Sequence, residues 1–322
     1  MIEYKNGIHL KGTELWFDSK KKVPLSFIST ANIQKFTPPE KILSTPETIK
    51  FLEKKIKKPV VLACPYYRSF ALGDIEVELV PSGTMLGSSQ MILDKGDKRL
   101  LYSGDINLRK LPTTDPAYTK HCDVLIMKCR YGLREYQFPS FEQSIKEVIS
   151  FVKETVSSDS TPILVVEPLG KAQDIVKTLG DMGYKLSLGK TIYNFTKIYE
   201  KLGIGFGDYS QLKPSKVKDS VIIIPPSDIK SEEIANVKKS KVAVIAESTE
   251  VEKLEIKSKF DADIVITLSN HADFNDLIEF VDLVEPEKVY LVEENANQFA
   301  NVLNDRGYEA ISLENPTQLN LL

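Results

Sequence analysis

The spacing of apolar residues predicts mainly strands in the first hundred residues. Brief apolar or alternating runs bounded by Gly, Asp or Pro are typical of strands. They predict strands at 8–10, 14–17, 25–28, 60–63, 75–80, 90–93 and 99–102. The sequence Asp94-Lys95-Gly96-Asp97 between the last two predicts a hairpin turn. One helix interrupts the strands, because Thr45 supplies an N-cap hydroxyl and Pro46 follows at the first helical position.

From residue 123 onward, helical and continuous apolar patterns alternate, which is the signature of an α/β fold. The predicted strands are 123–127, 163–166, 221–224, 242–245, 264–268 and 288–292, and the predicted helices are 139–156, 171–179, 274–284 and 296–305. The segment Gly183–Thr191 looks like a phosphate-binding loop, but five residues separate its glycines where four are required. We interpret it as a strand end followed by a helix from Thr191. No G-x-S-x-G nucleophile motif occurs.

Composition narrows the class of protein. At roughly 150 residues per domain, 322 residues predict about two domains. Lys and Arg total 42 and Asp and Glu total 45, so the net charge of −3 gives no overall basic excess for nucleic acid. No apolar run approaches the ~18 residues that span a bilayer, and the first residues lack a signal-peptide core. We therefore expect a cytoplasmic protein without membrane association. Three cysteines argue against a disulfide framework, and three histidines against an imidazole-rich zinc site.

Two segments carry the strongest motif similarity, Val80-Pro81-Ser82-Gly83-Thr84-Met85-Leu86-Gly87-Ser88 and Leu101-Tyr102-Ser103-Gly104-Asp105. They resemble the metallo-β-lactamase/β-CASP nucleases, which include RNA 3′-end processing endonucleases, Artemis-type DNA nucleases and ligase-associated exonucleases. Further segments match the motifs of this family in order, at 27–35, 43–48, 127–132, 168–173, 268–273 and 289–293. The resemblance implies an α/β fold, with a metallo-β-lactamase αββα sandwich and an inserted compact β-CASP α/β domain. We expect the first domain at 1–138 plus 262–322 and the inserted domain at 139–261.

The resemblance also implies a two-zinc site, but this sequence departs from the family at most of the ligand positions. Thr30 and Asn32 stand for two histidines, Gln34 for an aspartate and Lys35 for a further histidine. Thr84 and Glu293 also replace histidines, and Lys128 replaces an acid. Asp105, the acid Asp18 and the proton-donor position His271 are retained. The remnant site therefore comprises Asp18, Thr30, Asn32, Gln34, Lys35, Thr84, Asp105, Lys128, His271 and Glu293.

Hydroxyls, amides and an ammonium do not provide the ligand field that zinc prefers. We therefore expect no catalytic residue, bound metal or other cofactor. The substitutions are predicted to compensate one another, with Lys35 pairing with Asp105 and Asp18, and Lys128 pairing with Glu293. Any weak Mg²⁺ or Mn²⁺ would use Asp18, Asp105 and Glu293, because oxygen ligands suit those ions.

Two retained residues have alternative structural interpretations. Asp105 accepts backbone hydrogen bonds in a tight turn, or else it belongs to an ion pair. His271 is predicted to stand at the start of a helix that Asp273 caps, rather than to act in catalysis. The Lys-rich stretches are solvated faces, or else they contact phosphates without reading sequence.

The sequence thus predicts a catalytically inactive nuclease homologue, a pseudoenzyme that acts as a nucleic-acid-binding or regulatory subunit in RNA processing or DNA repair. The predicted partners are an active paralogue or another nucleic-acid processing protein, with RNA or single-stranded DNA as direct ligands. Two alternatives remain open. One is an active metal-dependent nuclease with a rebuilt site, and the other is a protein-interaction scaffold with no nucleic-acid role.

Overall fold

The computed structural model describes residues 2–4, 7–33, 36–56, 60–213 and 220–313. The chain forms two compact units. The first contains Met1–Lys110, Thr114–Tyr136 and His271–Leu322, and the second contains Leu111–Thr113 and Gln137–Asn270. None of the helices in the described ranges has the length and apolar character needed to span a membrane.

The secondary structure alternates between strands and helices through most of the chain. The strands are β1 (Ile2–Tyr4), β2 (Ile8–Leu10), β3 (Leu15–Phe17), β4 (Leu25–Phe27), β5 (Lys41–Ser44), β6 (Val60–Ala63), β7 (Phe70–Leu72), β8 (Ile75–Pro81), β9 (Ser89–Lys95), β10 (Lys98–Tyr102), β11 (Val124–Lys128), β12 (Thr161–Val166), β13 (Leu186–Leu188), β14 (Tyr209–Gln211), β15 (Val221–Ile224), β16 (Ser240–Ala246), β17 (Ile264–Thr267), β18 (Lys288–Val292) and β19 (Glu309–Ser312). The helices are α1 (Pro46–Leu52), α2 (Phe141–Ser157), α3 (Lys171–Asp181), α4 (Lys190–Lys201), α5 (Glu232–Ala235), α6 (Glu250–Phe260), α7 (Phe274–Val284) and α8 (Ala296–Asp305).

The first unit contains two mixed sheets, with strand orders β1-β2-β3-β4-β5-β6 and β19-β18-β11-β10-β9-β8-β7 among the described residues. One hydrophobic cluster joins the two sheets through Leu15 and Phe27 of the first and Leu79 and Tyr102 of the second. A separate cluster packs the second sheet against α7 and α8, which bury apolar side chains such as that of Phe280. The second sheet therefore has apolar contacts on both faces, as a strand like β11 with its continuous apolar sequence requires.

The second unit is built on one sheet whose described strands are all parallel, in the order β14-β13-β15-β12-β16-β17. The central strands are continuous apolar runs, and Val221–Ile224 and Ile163–Val166 are almost wholly buried. Side chains of α2, α3 and α4 pack in one cluster with the sheet, and side chains of α5 and α6 pack in another. Helices on both faces explain why these strands do not alternate polar and apolar residues.

Most of the elements predicted from the pattern are present, including the hairpin of β9 and β10, in which Gly96 has a φ of 62°. Thr45 caps α1 by accepting from Thr48 N, as predicted. The phosphate-loop-like segment contains β13 and the start of α4, which agrees with its interpretation as a strand followed by a helix. The mixed α/β class is therefore observed.

Several short or exposed elements were not predicted, namely β1, β5, β7, β14, β19, α5 and α6. The helix α6 has no regular apolar periodicity, since Val251 and Leu254 are each 73% exposed whereas Ile256 and Phe260 pack against the sheet. Its N-terminal Thr249 and Glu252 form a capping box, which was the available sequence signal. The chain returns to the first unit at His271, whereas the return was predicted at residue 262. The difference arises because β17 pairs with β16 and belongs to the second unit.

Candidate functional site

Asp18 is held at the end of β3 by hydrogen bonds. It has a left-handed backbone, with a φ of 43°, and its N–H donates to Phe27 O at 2.8 Å. Its carboxylate accepts from Ser29 N at 2.8 Å, from Ser29 Oγ at 2.6 Å and from the Tyr102 hydroxyl at 2.8 Å. These three donors fix the carboxylate in one position.

Lys128 lies between two carboxylates. Its Nζ is 2.7 Å from Asp18 Oδ2 and 3.2 Å from Asp105 Oδ2. The exposed fractions of the three side chains are 12%, 15% and 12%. Lys128 ends β11, and Asp105 follows the neighbouring parallel strand β10, so the same edge of the sheet presents both residues. The result is a buried ion triad of two carboxylates and one ammonium.

The pKa values in the triad follow from burial and charge. Burial is the largest single influence on Asp105 and opposes its ionisation, whereas the positive charge of Lys128 favours it. With further help from His271 and Arg130, the pKa of Asp105 falls to about 2. Burial also opposes the charge on Lys128, yet Asp105 and Asp18 hold its pKa well above the usual range. Both Asp105 and Lys128 are therefore charged at neutral pH.

A small pocket opens beside the triad. It is lined by Asp105, Lys128, Arg130, Tyr131 and His271, among others. The rings of Tyr131 and His271 lie 6.1 Å apart at an angle of 57°. His271 therefore faces the remnant site as the motif similarity implies. Four further residues here lie within the motif-matching segments but were not named as members of the remnant site, namely Tyr102, Ser29, Arg130 and Tyr131.

The start of α7 confirms the predicted cap. Asp273 accepts from Asn275 N at 2.9 Å and from Asp276 N at 3.0 Å. Arg109 then contacts both acids, with its Nη2 at 3.3 Å from Asp273 and 3.0 Å from Asp276. His271 precedes this cap, so it stands both at a helix start and in the pocket.

The remaining members of the remnant site have local roles. Thr30 and Thr84 are buried. Thr30 Oγ1 accepts from Asn32 N at 3.3 Å, and Thr84 N donates to Ser88 Oγ at 3.2 Å. Glu293 follows β18 with a left-handed φ of 85°, and its charge contributes to the raised pKa of Lys128.

The predicted pairing of charges needs a correction. Lys128 was predicted to pair with Glu293, but its ion-pair contacts are with Asp18 and Asp105. The physical reason is that two fixed carboxylates attract the ammonium more strongly than one. Gln34 and Lys35 lie outside the described residues, so the pairing of Lys35 with Asp105 remains a prediction.

The residues present do not fit the two-zinc centre that the resemblance implies. Within the described ranges, no group of three or more His, Cys, Asp or Glu side chains is arranged to hold a metal ion. The Lys128 ammonium, in contact with both Asp18 and Asp105, would repel a dication placed at the same carboxylates. The Lys128 ammonium contacts the same two carboxylates that a metal ion at this position would need as ligands.

The second unit contains a buried ion pair that the sequence did not predict. Lys171 Nζ lies 3.2 Å from Glu247 Oε1, with exposed fractions of 3% and 9% for the two side chains. The same Glu247 oxygen accepts from Ser269 Oγ at 3.2 Å and Asn270 N at 3.3 Å. The available signal was Lys171 directly after Gly170 at the predicted start of a helix. These contacts join the ends of β16 and β17 to the start of α3.

Comparison with known proteins gives one similarity over almost the whole chain and another over about a third of it. No family model matches the chain. A probable DNA ligase of Opitutus terrae is 29% identical over 99% of this chain, which spans only 32% of that ligase. An RNase J-like protein of Methanocaldococcus jannaschii is 31% identical over 32% of this chain and 25% of its own length.

A solved structure has a related fold. A protein of unknown function from Enterococcus faecalis superposes with a TM-score of 0.59, at 15% sequence identity, over 83% of this chain and 75% of its own. This likeness concerns the fold alone. The chain is therefore similar over almost its whole length to about a third of a DNA ligase and in part to an RNase J-like protein, in agreement with the resemblance drawn from its motifs.

Proposed function

We propose that this protein is a metal-free homologue of the metallo-β-lactamase/β-CASP nucleases that binds nucleic acid without cleaving it. The observation that carries the proposal is the position of Lys128, whose ammonium contacts both Asp18 and Asp105. In this family two zinc ions polarise the phosphate and generate the attacking hydroxide. An ammonium supplies part of that positive charge, but it cannot generate hydroxide from a bound water at neutral pH. The ammonium at this position is neutralised by the two carboxylates, so the remnant site lacks the means for hydrolysis.

The role in the cell is proposed from the relatives. A DNA ligase and an RNase J-like protein are both named for nucleic-acid chemistry. A homologue without hydrolytic activity fits a regulatory or nucleic-acid-binding subunit, with an active paralogue or another nucleic-acid processing protein as its partner. No cofactor is required for this role. The proposed pathway is RNA processing or DNA repair.

The test combines metal analysis with a cleavage assay. Protein purified without chelator is analysed for bound metal by mass spectrometry, and labelled DNA and RNA 20-mers are incubated with Zn²⁺, Mn²⁺ or Mg²⁺. We expect well under one equivalent of metal, no cleavage, and binding of the intact strands. Asp105→Ala serves as the matched variant, because it removes the acid that every metal-dependent alternative requires.

Cleavage by the wild-type protein that is lost in Asp105→Ala would overturn the proposal in favour of a rebuilt metal site on Asp18, Asp105 and Glu293. Failure to bind any strand would favour a protein-interaction scaffold. Binding that weakens as salt rises supports the proposal, because phosphate contacts release counterions.

A further inference from the structure

An exposed pair of aromatic rings lies on the first unit, outside the remnant site. Tyr67 is 57% exposed and Tyr118 is 39% exposed. Their ring centroids are 5.8 Å apart with an interplanar angle of 78°, and Tyr66 lies 6.2 Å from Tyr67. We call Tyr67 and Tyr118 the tyrosine patch. Burial of a large aromatic side chain stabilises a fold. Because Tyr67 and Tyr118 are exposed, they contribute little to the stability of the core.

The backbone presents the Tyr67 ring at a conformational cost. Tyr67 has a φ of 60°, in the left-handed region that only glycine adopts without strain. The residue is fixed there, because Tyr67 N donates to Leu79 O at 2.9 Å and the Tyr66 hydroxyl donates to Ser88 O at 2.7 Å. Because Tyr67 is largely exposed, the packing of its side chain offsets little of this backbone strain. Strain that persists at an exposed side chain is typical of a binding position.

The charge of the chain segment that contains Tyr67 favours contact with a polyanion. From Lys54 to Gly73 the sequence has no carboxylate. Arg68 is adjacent to Tyr67 and exposed, and within the described ranges it has no hydrogen-bond or ion-pair partner. The side chains of Lys54 and Lys55, before the exposed edge strand β6, are also exposed and have no hydrogen-bond or ion-pair partner within the described ranges.

Two carboxylates also lie near Tyr67. Asp115 and Glu78 both help to raise the pKa of Tyr67, after burial. Lys120 lies 3.7 Å from Glu78 and offsets its charge. Phosphates are therefore expected to contact Arg68 and to avoid Asp115.

We propose that the tyrosine patch is a stacking platform for the bases of a single-stranded nucleic acid, with Arg68 contacting the adjacent phosphate. The inference rests on the proposed nucleic-acid-binding function and specifies its ligand. Base stacking on aromatic rings tolerates any sequence, because every base has a π-face. Such a platform holds a strand without a metal and without the Lys128 triad.

The experiment measures binding of fluorescein-labelled dT20 and rU20 by fluorescence anisotropy at several salt concentrations. Loss of one stacked base lowers affinity by about 5- to 150-fold, so we expect a decrease in that range for Tyr67→Ala. Tyr67→Phe keeps the ring and is expected to bind within about twofold of wild type. Arg68→Ala is expected to reduce the slope of log affinity against log salt by about 0.7, the value for one phosphate on a single strand. The dT20 and rU20 arms distinguish DNA from RNA.

Tyr67→Gly separates binding from folding. Glycine accepts the left-handed backbone, so this variant is expected to melt at or above the wild-type temperature while losing affinity as Tyr67→Ala does. Leu254→Ala, a change at a 73% exposed residue of the second unit, is the control and should bind as wild type. Strand binding that Tyr67→Ala and Tyr67→Gly leave unchanged would overturn the platform alone. A wild-type protein that binds neither strand would overturn the proposed function and the platform together.

Discussion

At the scale of single residues, Lys128 is the centre of the ion triad. It has the raised pKa and the two short contacts that make the triad a permanent ion cluster. Asp18 has Ser29 and Tyr102 as additional donors, whereas Asp105 depends more on the cation. Burying charges is tolerated only when each of them is paired.

Removal of the Lys128 cation should therefore destabilise the fold strongly. We expect Lys128→Ala to lower the free energy of unfolding by ~3–5 kcal/mol, because Asp18 and Asp105 would remain buried without compensation. Urea denaturation at pH 7 measures the loss. Lys98→Ala is the matched control, since Lys98 also contacts two acids, Asp123 and Glu287, but at the surface, and its loss should be much smaller. Equal losses in the two variants would show that the triad is not the buried cluster described.

At the scale of elements, capping residues explain where α2 and α7 begin. Ser140 and Gln143 form the capping box of α2, and Asp273 caps α7. Such signals are local, so they can be recognised in the sequence. Asp174 in the first turn of α3 is different, because its partner Thr113 is far away in the chain. Thr113 N and Oγ1 donate to Asp174 Oδ1 at 3.1 and 2.7 Å, while Oδ2 is buried without a hydrogen-bond partner in the described structure.

The orphaned oxygen makes stability depend on pH. Burial raises the pKa of Asp174 from 3.8 to about 7, although Thr113 opposes the shift. The folded protein thus holds a proton that the unfolded chain releases, so the stability contributed by this group falls as pH rises between those two values, by up to ~1.4 kcal/mol per pH unit. Asp174→Asn imitates the protonated acid. Relative to wild type, we expect the variant to gain stability between pH 5 and pH 8 in urea denaturation, and a constant difference would contradict the assignment.

At the scale of the whole molecule, each unit has its own apolar core and its own sheet arrangement. The central strand β11 is covered on both faces, whereas the edge strand β6 is exposed. In β11 the residues Leu125, Ile126 and Met127 are wholly buried, while β6 exposes Val60, Val61 and Leu62. An amide exchanges with solvent only after its segment opens. A strand that is buried and paired on both sides opens less readily than an exposed edge strand.

Hydrogen exchange should show this contrast. We expect the amides of β11 to exchange roughly 100-fold or more slowly than those of β6, as measured by mass spectrometry on the intact protein. The strand β12, which is central in the sheet of the second unit, is the matched comparison and should resemble β11. Slow exchange throughout β6 would indicate that its free edge is covered.

The sequence by itself determined the α/β class, the order of most elements and the positions of the remnant site, because apolar periodicity, caps and motifs are properties of neighbouring residues. It named Asp105, Lys128 and His271, which the structure places around one pocket, and Asp18, which contacts Lys128. Only the tertiary structure decided that Lys128 contacts Asp18 and Asp105 and not Glu293, and that Asp174 meets Thr113. Those contacts join residues that are far apart in the chain, and the geometry of the folded sheets, which no local pattern encodes, decides which charges become partners.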